Sequence, residues 1–277
     1  MSGSSYLLTL YSNIAGTGDP ILNALYGNSG ATGGNPVQAL QTAEHNQTQD
    51  VALTAAQPAV ARDIATFTSV VETATSPAQL LANPTVMNVL LTASGMSDQV
   101  GYTALATQAL LSDSGNPKSL VNQLTDTRWL TVNQTYDFAT KGLSVIQNPK
   151  VIATIANGYA EQTWYQSLNA ATPGLSDALT FRAEASGITS VDQILGDPVL
   201  RSVVTTALGI PPQIAFQDLG AQQQAITSQL DIARFQDPKF VESFTEQYLI
   251  AMQQQNAGTQ TAPSLDSLAV QAAGLVV

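Results

Sequence analysis

Through most of the chain apolar residues recur at intervals of three and four, the spacing that places side chains on one face of an α-helix. After Pro198, Leu200, Val203, Val204, Ala207 and Leu208 form such a stripe, and Gly209 follows as a left-handed C-cap. Gly95 does the same for the segment that begins at Pro84. An Asn or Asp followed by Pro stands at Asp19, Asn35, Asn83, Asn116, Asn148, Asp197 and Asp237. Such a pair supplies a side-chain acceptor for the N-cap and then a residue whose missing N–H costs nothing at the first helical position, so each one predicts a helix start. Long helices are expected from Pro149 to about Ala171 and from Pro238 to about Gln254, with shorter ones between. Alternating strand-like runs are scarce, and the predicted class is all-α.

The pattern also repeats. Thr75 to Gln99 lies over Thr189 to Gln213 without a gap at a shift of 189 minus 75, or 114. This pairs Ser76 with Ser190, Gln79 with Gln193, Pro84 with Pro198 and Gly95 with Gly209; upstream, Asp63 and Phe67 fall on Asp177 and Phe181. Asn35-Pro36 matches Asn148-Pro149, and Asn116-Pro117-Lys118 matches Asp237-Pro238-Lys239 after a short indel. Two tandem diverged helical repeats of about 113 residues are therefore expected, over 35–147 and 148–256. Residues 1–34 read as a leader with a Gly-rich loop, and 257–277 as a linker and a C-terminal apolar helix, the linker run itself spanning Gln255 to Pro263.

Both terminal segments carry an apolar stripe outside the repeated body: Tyr6, Leu7, Leu10 and Ile14 near the start, and Leu265, Leu268, Ala272 and Leu275 near the end. These eight are the candidate interaction residues. They either dock on a neighbouring molecule or pack back on their own domain.

Composition narrows the function. Apolar residues at 44% suffice for a real core, whereas charged residues make up only 10%, so the surface is polar but mostly uncharged. Nine Lys and Arg against 20 Asp and Glu give a net charge of −11, which offers no basic field to a nucleic-acid backbone. Cysteine is absent, which removes disulfides, thiolate nucleophiles and Cys-ligated metals. The first Lys or Arg is Arg62, so a Sec-type signal peptide is not supported, and no apolar run reaches the length of a transmembrane helix.

Candidate chemistry is sparse. His45 is the only histidine and its neighbours are polar, so it reads as solvent-facing. The glycine-rich run from Gly27 to Gly34 lacks the Lys-Ser/Thr ending of a phosphate loop. Asp231, Asp237, Glu242 and Glu246 could supply a carboxylate pair for glycoside hydrolysis. Asp237 has an evident capping role, however, and Glu242 with Glu246 has the i, i+4 spacing of a solvated helix face. Trp164 and Tyr165 read as core or interface residues. The expectation is no enzyme, no catalytic residues, no metal and no cofactor.

The stretch from Ile188 to Phe244 resembles a bacterial domain family of unknown function associated with flagellar gene clusters. The residues that carry the resemblance are Gln193-Ile194-Leu195-Gly196-Asp197-Pro198, Thr206-Ala207-Leu208-Gly209-Ile210-Pro211, Leu230-Asp231-Ile232 and Phe235-Gln236-Asp237-Pro238. Leu81 to Gln99 and the segment after Asn148 are similar to the family too. The resemblance implies a flagellum-linked role with no catalytic residues to carry over. Structural subunits exported through the flagellar channel commonly lack cysteine, carry polar uncharged leaders and bury apolar terminal helices against neighbours, and this chain matches each feature. The expected function is an exported, extracellular structural or accessory component of the flagellum, with flagellar proteins or further copies of itself as partners. A cytoplasmic assembly factor or export chaperone is the alternative, and a lytic cell-wall enzyme comes third.

Overall fold

The computed structural model describes residues 35–260, with side chains through residue 256. The eight candidate interaction residues at the termini, the Gly27–Gly34 run and Asp19-Pro20 lie outside that range. Among the described residues every regular element is an α-helix or a short 3-10 turn. In order the α-helices are α1 (Pro36–Ala55), α2 (Pro58–Thr73), α3 (Pro77–Leu81), α4 (Pro84–Ala93), α5 (Thr103–Leu110), α6 (Arg128–Tyr136), α7 (Phe138–Lys141), α8 (Pro149–Ala171), α9 (Leu175–Glu184), α10 (Val191–Gly196), α11 (Pro198–Ala207), α12 (Leu219–Thr227) and α13 (Pro238–Gln260).

The capping reading is realised at five of its described positions. Asn35, Asn83, Asn148, Asp197 and Asp237 each accept a backbone N–H from the residue two positions on, with Pro at the first helical position. Asn116-Pro117 is the exception. Asn116 Oδ1 accepts from the Lys118 N–H, but the chain then goes extended at Ser119, and Asn122 donates back to the carbonyls of Ser114 and Asn116. A closed turn results instead of a helix. The matching of Asn116-Pro117-Lys118 with Asp237-Pro238-Lys239 therefore fails in structure. Asp237-Pro238-Lys239 opens a 23-residue helix, as Asn148-Pro149-Lys150 also does.

The long helix predicted from Pro149 ends at Ala171 as expected, but α13 continues to Gln260, six residues past the expected end. The first part of the expected linker is thus helical.

The two aligned stretches recur in local detail. Ser76 and Ser190 cap α3 and α10 through the N–H of Gln79 and Gln193, whose side chains reach back to the N–H of Thr75 and Thr189. Helices α4 and α11 both run ten residues from Pro84 and Pro198. Each ends in the same paired bond: Met96 N–H to Leu91 O with Gly95 N–H to Thr92 O, and Ile210 N–H to Thr205 O with Gly209 N–H to Thr206 O. Gly95 and Gly209 sit at φ of 71° and 65°, a region that L-residues with a Cβ enter only at a cost.

Beyond the caps, α8 is tied to α2 and α13 to α9 by bonds of the same kind. Tyr159 of α8 donates to Asp63 of α2 at 2.9 Å, and Tyr248 of α13 donates to Asp177 of α9 at 3.3 Å. Asn88 meets the first hydroxyl and Ser202, at the equivalent place, meets the second. Burial, reinforced by the adjacent carboxylate, pushes the Tyr159 hydroxyl up to about 12 and raises that of Tyr248 as well.

One apolar core runs through the whole described body, from Leu40 to Leu249. Helix α8 packs most extensively on α4 and α1, and α1 also lies against α9 and α13, so core contacts cross the 147/148 boundary in both directions. Gly174, which precedes α9 at φ 87°, is approached by the Tyr248 hydroxyl and the Met252 Cγ, at 3.0 and 3.2 Å from where a Cβ would lie. At Gly95 nothing lies within 4 Å of that point. Gly95→Ala is expected to cost about 1 kcal/mol from backbone conformation alone, and Gly174→Ala about 2 kcal/mol or more because steric displacement adds to it. Equal melting temperatures for the two variants would contradict this.

Candidate functional site

A cavity of about 470 Å³ lies where the end of α4, the start of α6, the end of α9 and the start of α11 meet. Its chemistry centres on Arg128, Glu184 and Asp197.

Arg128 is held in place by its local sequence. Asp126 accepts its backbone N–H at 3.0 Å as the chain turns into α6, and the same carboxylate takes the guanidinium Nε and Nη2. Nη1 donates to the Gly95 carbonyl at the end of α4 and to Asp98 Oδ1; Nη2 donates to Asp98 Oδ2. All the guanidinium N–H groups are thereby engaged within the protein, and the side chain is only 10% exposed. Burial alone would ease the proton off, but hydrogen bonds and charge from Asp126 and Asp98 outweigh it and raise the Arg128 pKa. Burial works against ionised Asp98 too, yet the bonds from Arg128 and Gln99 hold its pKa below the usual carboxylate range. The group is a staple joining α4, α6 and the turn between them, with no donor left to bind an anion.

Asp197 is buried and accepts the N–H groups of Val199 and Leu200 at 2.7 and 3.0 Å. Its neighbour Gly196 accepts the Thr127 N–H at 3.1 Å. A Cβ on Gly196 would stand 2.5 Å from Thr127 Cγ2, so the close approach of α10 to α6 depends on glycine there.

Glu184, at the end of α9, is the one of the three whose carboxyl is not spent on a cap or a staple. Crowding by the surrounding protein, with the negative charge of Asp197 added and that of Arg128 opposing, lifts it from 4.5 to about 7. Its surface is nevertheless open to solvent, and water screening limits the energetic weight of that shift. A carboxyl with a raised folded pKa favours the folded state most below its unfolded value near 4.5 and loses that contribution as the pH rises through about 7. Glu184→Gln is therefore expected to raise stability at pH 8 by less than about 1 kcal/mol and to leave it unchanged at pH 4. Thermal melts at the two pH values check this, and a loss of stability at pH 8 would contradict it.

The remaining sequence candidates are placed as follows. His45 faces solvent on α1. Asp231 and Asp237 accept the N–H groups of Ala233 and Lys239 as helix or turn caps. Glu242 is exposed on α13 and Glu246 half-buried. Trp164 and Tyr165 are buried at 0% and 4% exposure, and the Tyr165 hydroxyl lies in a bonded group with Gln47 and Glu161 that ties α8 to α1. Arg128 and Glu184 escaped sequence reasoning; the Asp126-x-Arg128 spacing, which sets an Asx-type turn before a helix, is the local signal for the first.

The residues that carry the family resemblance are accounted for by structure in turn. Gln193 completes a capping box, Gly196 permits the close contact with Thr127, Asp197 and Asp237 are N-caps, and Gly209 is the left-handed C-cap. Asp231 caps the 3-10 turn that delivers Phe235 to the core. Phe235 then meets Phe181, Phe240 and Phe244, with ring centroids 5.3 to 5.8 Å apart.

The sequence profile of a family described as a protein of unknown function (DUF1217) matches residues 93–241. The crystal structure of a protein from Agrobacterium tumefaciens superposes with a TM-score of 0.69 at 22% sequence identity, over 87% of this chain and 97% of that one. At that identity the likeness establishes a shared fold. No functionally curated protein shows significant sequence similarity to the chain.

Proposed function

The chain belongs to the DUF1217 family, and from that premise we propose that it is an exported, non-enzymatic structural or accessory component of the bacterial flagellum that assembles through helical contacts. The observation that carries the non-enzymatic part is the use made of the family-motif residues: caps, a close backbone approach and an aromatic core, rather than groups left free to meet a substrate. The Arg128 staple points the same way, since a guanidinium with every N–H engaged holds helices together and does not polarise a ligand. The flagellar and extracellular parts are supported by the resemblance to a family found with flagellar genes, and by a cysteine-free chain with few charges. A polar, weakly charged surface suits close packing of copies because little repulsion opposes it. We read the recurring caps as marks of an internal duplication over 35–147 and 148–256.

Export is tested by comparing culture supernatants and cell pellets of a flagellated strain with those of a strain lacking the flagellar export apparatus. The expected result is protein in the first supernatant and retention in the second strain's cells. Retention in both strains, bound to another flagellar protein, would favour the chaperone reading.

A further inference from the structure

Between α11 and α12 the chain puts apolar side chains into water. From Pro211 to Gly220 every residue except Ile214 is exposed. Phe216, last in the 3-10 turn Pro212–Phe216, is 88% exposed, and Leu219, first in α12, is 56% exposed. Leu53, Tyr102 and Ile250 are also exposed, but they are far apart in the sequence. An aromatic and a leucine this open, three residues apart, mark a contact surface. The one charge in the stretch, Asp218, is occupied in capping α12 through the Ala221 N–H at 3.0 Å.

The partner is indicated by charge and by chain length. With a net charge of −11, contact between copies is opposed least where both contacting surfaces carry few charges. Residues 261–277 form such a stretch: their one charge is Asp266, and Leu265, Leu268, Ala272 and Leu275 have helical spacing. These 17 residues follow Gln260, the end of α13, and can reach on the order of 50 Å when extended. An apolar stripe of that spacing binds by laying its face against an exposed apolar surface.

We infer that the Phe216–Leu219 surface receives the 261–277 segment of a second copy, giving a head-to-tail contact. Such a contact uses different surfaces on the two partners, so it propagates beyond a dimer unless its rotation closes a ring. The inference deepens the assembly reading above but does not depend on cellular location, so it can fail while the flagellar assignment stands, and the reverse.

The absence of cysteine allows a direct test on the full-length chain. A Leu219→Cys chain is mixed with an Ala272→Cys chain under mild oxidation, and the disulfide-linked species are identified by mass spectrometry. The expected product is predominantly the 219–272 cross-link between different chains, falling at least tenfold when Phe216→Asp is added to the Leu219→Cys chain. Phe216 makes so little contact that its replacement should leave the melting temperature unchanged, which separates lost docking from lost folding. Predominance of 219–219 cross-links would overturn the inference by making the surface self-pairing. So would an intramolecular 219–272 bond in the doubly substituted chain at high dilution, because the segment would then cover its own copy. Absence of any cross-link above that of a Thr48→Cys control on exposed α1 would overturn it as well.

Discussion

Phe181→Ala is expected to lower the stability of the folded chain by about 4 kcal/mol, in the middle of the range for truncating a buried aromatic ring. Phe181 is fully buried on α9, with Phe235 edge-on at 5.3 Å and Phe244 at 5.6 Å. The substitution removes the transfer free energy of a ring and leaves a cavity whose walls cannot easily close. Those walls come from elements pinned by their own bonds: Gln236 Nε2 donates to the Ser186 carbonyl and Gln247 Nε2 to the Ala207 carbonyl. The lost edge-to-face contact with Phe235 adds to the deficit. Urea denaturation followed by far-ultraviolet circular dichroism measures the change, and a loss under about 1 kcal/mol would mean that the cluster repacks.

Arg128→Met is expected to cost about 3 kcal/mol, because it leaves two carboxylates and the Gly95 carbonyl facing a side chain that donates nothing. The variant keeps most of the apolar stem, so the loss reports the guanidinium bonds. Asp98 is half exposed and can regain water, which keeps the cost below that of a wholly buried pair. Arg128→Lys should rescue little, since a single ammonium cannot span Asp126, Asp98 and Gly95 with the planar fork those partners require. Added salt should change the difference only slightly because the guanidinium is shielded. Full stability in the Lys variant would show that charge alone, and not fork geometry, holds the staple.

These two residues also mark where sequence reading succeeds and where it stops. Helix class, the caps at Asn35, Asn83, Asn148, Asp197 and Asp237, and the paired terminators Gly95 and Gly209 are legible because each rests on bonds within two to five residues. The same local logic misleads at Asn116-Pro117, where the cap acceptor is present but Asn122 folds the chain back before a helix can propagate. It also stops α13 early. The polar run from Gln255 reads as a linker, yet Gln is a good helix former and the backbone ladder continues through it to Gln260.

Long-range chemistry leaves weaker traces. Asp63 and Asp177 are matched by the 114-residue shift, but their partners Tyr159 and Tyr248 are 89 apart (248 minus 159), because the first stretch carries extra residues between α4 and α8. The Arg128 partners lie 33, 30 and 2 residues away, a spacing with no periodicity to detect. Phe216 is hidden for the opposite reason: an apolar residue after Pro211-Pro212 looks like core until its exposure is known.

The flagellar assignment is tested most directly by immunoblotting purified flagella beside whole-cell lysate from the same culture, with a cytoplasmic protein as the fractionation control. An exported component of the structure should be enriched in the flagellar fraction relative to lysate and remain there after washing. Confinement to the lysate, with flagella of normal length and no signal in them, would contradict the account.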